Sequence, residues 1–254
     1  MVRTLSLALC LFVLSALCAA EESSTYFDEL GSRLYTSRNY TEALYYFNQS
    51  LNENSSNLDA WIHKGNTQKA LKELNESIQS YNNALKLDDE NAAAWSGLID
   101  TYIALKDYAN ASASAAKATE FDSRNKGNWL REGNILQMQG RFEEAVIKLD
   151  GALALDPEYK DALYKKGLSL LAANRASLAI ELFDQVLAKD PKYKQAYNAK
   201  GQALEAQGKY SEALEAYDKA LQIDQRWSLA LINKMHVLLH LKKQKEAMDI
   251  FLKI

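Results

Sequence analysis

Only two of the 254 residues are cysteines, and both, Cys10 and Cys18, fall within the first twenty. Beyond them the chain has no thiol for a disulfide, a cysteine-ligated zinc or a covalent nucleophile. Proline is as scarce, with Pro157 and Pro191 the whole supply, and each forbids a helix from continuing through it. After residue 20 no stretch approaches eighteen consecutive apolar residues, so no membrane span is expected in the mature chain. Gly-rich phosphate loops and a nucleophile elbow are absent too. With a pI near 5.7 there is no broad basic stripe to release counterions from phosphates, and a nucleic-acid partner is not expected.

The opening residues read as a leader. Met1-Val2-Arg3 supplies a short basic start, Leu5 to Leu17 an apolar stretch, and Cys18-Ala19-Ala20 the small residues of a cleavage site. That outline predicts a secretory signal peptide over residues 1–20 and an exported product, extracellular or in the cell envelope. Whether the leader is cleaved or kept as an anchor stays open. The charge that follows is uneven. Residues 21–125 carry 9 Lys and Arg against 16 Asp and Glu, and residues 126–254 carry 20 against 17.

What is present in abundance is repetition. Gly31, Gly65, Gly133, Gly167 and Gly201 are spaced by 34 residues or its double, and Ala43, Ala111, Ala145, Ala179, Ala213 and Ala247 obey the same rhythm. A period in this range signals stacked supersecondary units that bury a core only by stacking on one another. Units begin at Ser24, Leu58, Ala92, Lys126, Lys160, Lys194 and Ser228, the last one partial. In each, a large residue at the fourth place (Trp61, Trp95 and Trp129 among them) is followed seven residues on by another on the same helix face. A second ladder runs through Phe47, Tyr81, Ala115, Leu149, Phe183, Tyr217 and Phe251 and marks the second helix of each pair. Small residues at the eighth and twentieth places let the two helices approach closely. Gly140 and Gly208 mark turns inside pairs, while Asp156-Pro157 and Asp190-Pro191 mark stops between them.

Trp129, Gly133, Leu136, Gly140, Phe142, Ala145, Ala152 and Pro157 together resemble the tetratricopeptide repeat, as do Tyr197, Gly201, Leu204, Gly208, Tyr210, Ala213, Tyr217 and Ala220. The resemblance covers residues 24–254. It implies an all-α, right-handed solenoid of antiparallel helix pairs, whose first helices line a groove that holds a peptide or helix of a partner protein. On that pattern Tyr35, Asn66, Leu130 and Asn134, with Tyr164, Asn198 and Gln202, are the expected groove residues. Asn and Gln both donate and accept hydrogen bonds, which suits the backbone of an extended peptide, and tyrosine adds flat apolar area with a polar tip. A carboxylate clamp of the kind that grips cytosolic chaperones is excluded. The fifth places read Asp28, Ile62, Ser96, Leu130, Tyr164, Asn198 and Ile232, with no lysine.

Departures from the repeat also carry expectations. The third unit has Ile99 where glycine is usual, and its second helix, Ala109 to Ala118, is almost wholly Ala, Ser and Asn. It buries little and is the expected point of bending or local opening. Phe251, Leu252 and Ile254 crowd the far end and are expected to dock a partner or a second copy of the chain, an assembly role that competes with peptide capture. His236 and His240 share a helix face at i, i+4, yet His63 stands five units away and no third ligand is evident, so neither a metal site, a cofactor nor an enzyme is expected. Five Asn-x-Ser/Thr sequons, at Asn39, Asn48, Asn54, Asn75 and Asn110, lie in the first three units and are candidate glycan sites in an exported chain.

Overall fold

A computed structural model describes residues 20–252. The leader, apart from Ala20, and Ile254 lie outside that range. Among the described residues there are fourteen helices and no strand. They fall into two compact units, one ending at Phe121 and the other beginning at Asp122. The first holds α1 (20–36), α2 (Tyr40–Glu53), α3 (Leu58–Ala70), α4 (Leu74–Leu87), α5 (Ala92–Ala104) and α6 (Tyr108–Phe121). The second holds α7 (Lys126–Met138), α8 (Phe142–Leu155), α9 (Lys160–Ala172), α10 (Ala176–Lys189), α11 (Lys194–Ala206), α12 (Tyr210–Ile223), α13 (Ser228–His240) and α14 (Gln244–Phe251). Each unit is a solenoid of helix pairs in which every helix packs on the next.

One turn design closes all seven pairs. The fifteenth residue of the repeat is left-handed each time: Arg38, Lys72, Lys106, Asn174 and Lys242 at φ 59–68°, and Gly140 and Gly208 at φ 74° and 73°. The residue after it sends its N–H back to the carbonyl five residues earlier, as in Asn39 to Leu34, Arg141 to Leu136 and Lys209 to Leu204, each at 2.9 Å. This is the Schellman closure, which satisfies carbonyls that the helix end would otherwise leave unpaired. Glycine at Gly140 and Gly208 was legible as a turn. The other five turns have no such mark, because polar residues fill the same conformation at a steric cost.

The pairs are locked by glycine against the ladder of the second helix. A Cβ on Gly201 would come within 2.5 Å of the Tyr217 ring, and one on Gly167 within 2.6 Å of Phe183. Only a bare backbone leaves room for those rings, which are fully buried. Phe47, Tyr81, Ala115 and Leu149 occupy equivalent buried places. Phe251, the last rung, is instead 63% exposed. It ends α14, which packs on α13.

Candidate functional site

The first helices of the second unit lie side by side, α7 against α9, α9 against α11 and α11 against α13. The helical period then carries the fifth, ninth and twelfth places of each repeat to one continuous side. Leu130 sits half-buried there, against the Leu149, Ala152 and Ala162 cluster. Tyr164 is half-buried between Tyr193, edge-on at 5.1 Å, and Phe183 at 6.0 Å. Burial pushes its phenol up to about 12, so it stays a neutral donor at any ordinary pH. Gln202 is half-buried, and its side-chain amide makes no hydrogen bond among the described residues. The Asn134 amide oxygen is buried without a hydrogen-bond partner among them.

Other amides of this face are committed to the stack. Asn198 is only 4% exposed, and its Oδ1 accepts from Asn233 Nδ2 at 2.9 Å, joining α11 to α13. Gln137 Nε2 donates at 2.6 Å to both the Lys165 carbonyl and Ser169 Oγ, joining α7 to α9. The amide row therefore does two jobs that spacing alone does not separate.

In the first unit the corresponding side carries Asp28, Asp100 and Lys69. Tyr35 is half-buried with its ring 5.3 Å from Tyr40, and Asn66 Oδ1 accepts the Tyr81 hydroxyl at 2.7 Å. His63 Nδ1 lies 3.0 Å from Asp28 Oδ1, and this hydrogen bond raises the imidazole above its ordinary 6.5. Lys69 pairs with Asp100 at 3.6 Å.

Elsewhere, Asn39 directly precedes α2 without a side-chain cap bond, while Asn75 and Asn110 lie in the first turns of α4 and α6, and all three are exposed. Asn48 and Asn54 are partly buried at the middle and the end of α2. Leu252 is 77% exposed beside Phe251. The reading that His236 and His240 lack a third donor is corrected: Glu205, on the neighbouring first helix, brings Oε1 to 2.5 Å from His236 Nδ1. No sequence spacing marks that residue, because it comes from the preceding repeat 31 positions away.

Stacked helix pairs with an open side of mixed amide, aromatic and aliphatic groups define a class, the helical-repeat scaffolds that bind other proteins. Models of the tetratricopeptide repeat match residues 58–91, 130–193 and 164–227, about half of the chain. The chain belongs to the tetratricopeptide repeat family. A comparison with curated proteins finds no significant match. Among solved structures it is similar to YrrB, described as "a TPR protein with an unusual peptide-binding site", at 26% identity over 74% of this chain and 97% of that one, with a TM-score of 0.61. It is similar also to MamA, at 26% identity over 65% of this chain and 96% of that one, with a TM-score of 0.59. A tetratricopeptide repeat protein from Parabacteroides merdae shares the fold, with a TM-score of 0.73 and 14% identity over 91% of this chain and 92% of that one. No described helix is long and apolar enough to cross a membrane.

Proposed function

We propose that the second unit binds an extended segment or helix of a partner protein along its first-helix side, as an exported scaffold rather than an enzyme. The observation that carries this reading is the row of half-buried Leu130, Asn134, Tyr164 and Gln202 on the first-helix side, where the Gln202 side-chain amide has no hydrogen-bond partner among the described residues. A peptide supplies both halves of what that row asks for, backbone N–H and C=O for the amides and side chains for the apolar ground. The peptide-binding site of YrrB supports the same class of ligand. The leader motif of residues 1–20 supports export.

The test is a peptide library presented to the full mature chain, with binding followed by fluorescence anisotropy. Replacing Asn134, Tyr164 and Gln202 together by Ala should weaken a selected peptide by about 100-fold, equivalent to about 2.7 kcal/mol, with the helical circular dichroism retained. Unchanged binding overturns the reading. Loss only on changing Phe251 and Leu252, which α14 exposes, would instead support end-on assembly through that helix. Glycans at the exposed Asn39, Asn75 and Asn110 belong to the same export proposal, and an unmodified intact mass of the native protein removes them.

A further inference from the structure

We propose that Glu205, His236 and His240 form a binding site for a divalent transition ion of the zinc class, where α11 meets α13. One donor atom from each residue lies within 4.8 Å of the other two. The imidazoles stand edge to face with ring centres 4.7 Å apart, one turn apart on α13. The carboxylate reaches them from the adjacent repeat, with Glu205 Oε1 at 2.5 Å from His236 Nδ1.

Two further side chains hold the donors in place. Tyr217, fully buried, donates its hydroxyl at 3.1 Å to Oε2 of Glu205, which leaves Oε1 turned toward the histidines. Tyr210 lies flat against His240, with ring centres 4.7 Å apart and planes within 7°. Such outer partners orient ligands and strengthen metal sites.

Nothing in the repeat itself demands this set. The equivalent three places one repeat earlier are Leu171, Gln202 and Ala206. The His236 side chain is 59% exposed, so packing does not require it either. Two imidazoles and one carboxylate are the donors that zinc, cobalt and nickel accept, whereas magnesium and calcium take all-oxygen sets. Donors about 2.0–2.1 Å from a tetrahedral ion sit about 3.3 Å apart, a closure that rotation of the exposed His236 side chain would supply. Three protein donors leave the fourth position to water. The ion would tie the last first helix to the one before it.

The test uses the full mature chain without a polyhistidine tag, titrated first with Co(II) and then with Zn(II). One equivalent of Co(II) should produce the visible d–d bands of a low-coordinate ion, displaced by one equivalent of Zn(II), and Zn(II) should raise the thermal midpoint. His236→Gln and His240→Gln should each weaken binding by at least about 100-fold, and the isosteric Tyr217→Phe by about 10-fold. Absence of saturable one-to-one binding overturns the site, as does equal binding by the double variant H236Q/H240Q. A midpoint rise of the same size with Mg(II) or Ca(II) overturns the donor assignment. None of these readouts involves a peptide, so their failure is separable from failure of the binding-scaffold proposal.

Discussion

The two units build the same helix pairs from different interiors. In the first, hydroxyls and amides are buried and bonded to each other. Ser24 Oγ and Ser50 Oγ are 2.9 Å apart and both accept from Asn57 Nδ2, Ser77 Oγ donates to the Gly65 carbonyl at 2.8 Å, and Ser80 Oγ donates to Gln68 Oε1 at 2.6 Å. Of the buried polar residues among those described, nine belong to the first unit, from Ser24 to Thr119, and three, Glu132, Ser169 and Asn198, to the second. Where the first unit has Thr67 and Thr101, the second has Ile135, Ala203 and Val237 at three of its four places. One fold accepts either interior, provided that each buried hydroxyl finds a partner. The polar interior then depends on complete pairing and the apolar one on volume.

The links between repeats differ in the same way. Asn57 and Asn91 cap α3 and α5 by accepting the N–H of Ala60 and Ala94. In the second unit the cap places of α9, α11 and α13 are Tyr159, Tyr193 and Trp227, which make no side-chain cap bond. A three-part joint replaces the cap. Lys160 pairs with Asp190 at 2.8 Å and lies 5.0 Å from the Tyr193 ring, and the Lys126, Asp156, Tyr159 and Lys194, Asp224, Trp227 sets repeat it. A second ladder, Lys166–Asp150, Lys200–Asp184 and Lys234–Asp218 at 2.5–2.6 Å, ties each repeat to the one before. The division between units follows α6, the Ala- and Ser-rich helix whose ladder residue is only Ala115.

The sharpest way to break this comparison is to remove volume from the apolar interior. Phe183→Ala, at a fully buried place, should cost about 3–5 kcal/mol in urea unfolding. In the polar interior, Gln68→Ala strands Ser80 Oγ and should cost about 1–3 kcal/mol, while Gln68→Leu combined with Ser80→Ala should recover most of that loss. Failure of the double change to recover would mean that shape, not pairing, governs the first unit too. The shared turn should respond alike in both units. Gly208→Ala should cost about 1 kcal/mol, and Lys72→Gly or Asn174→Gly should stabilise by up to about 1 kcal/mol, read as shifts in thermal midpoint.

The smallest effects are in pH, and they run in opposite directions. His63 is raised above 6.5 chiefly by its hydrogen bond to Asp28, against the opposing effect of burial. Its contribution is complete below pH 6.5 and is lost as pH rises through the folded value. The side chain is 39% exposed, which keeps the effect under about 1 kcal/mol. Asp156, Asp190 and Asp224 are lowered below 3.8, first by the hydrogen bond from their lysines. Their contribution is present above pH 3.8 and disappears as pH falls through the folded values. Urea midpoints against pH for the parent, His63→Gln and Asp190→Asn check both signs.

The architecture was readable from residues 24–254 because its causes are local and recur every 34 positions. Small Gly167 faces large Phe183 within one pair, and glycine marks the turn at Gly140 and Gly208. Spacing along the chain therefore determined helices, turns and the stacked fold. Only the tertiary structure decided which side-chain amides serve the stack, as Asn198 does with Asn233, and which stay unpaired among the described residues, as Gln202 does. It alone placed Glu205 against His236. The physical reason is common to all of these: a side chain's partner on the neighbouring repeat is set by distances across the stack, and period and composition carry no record of which atoms meet there.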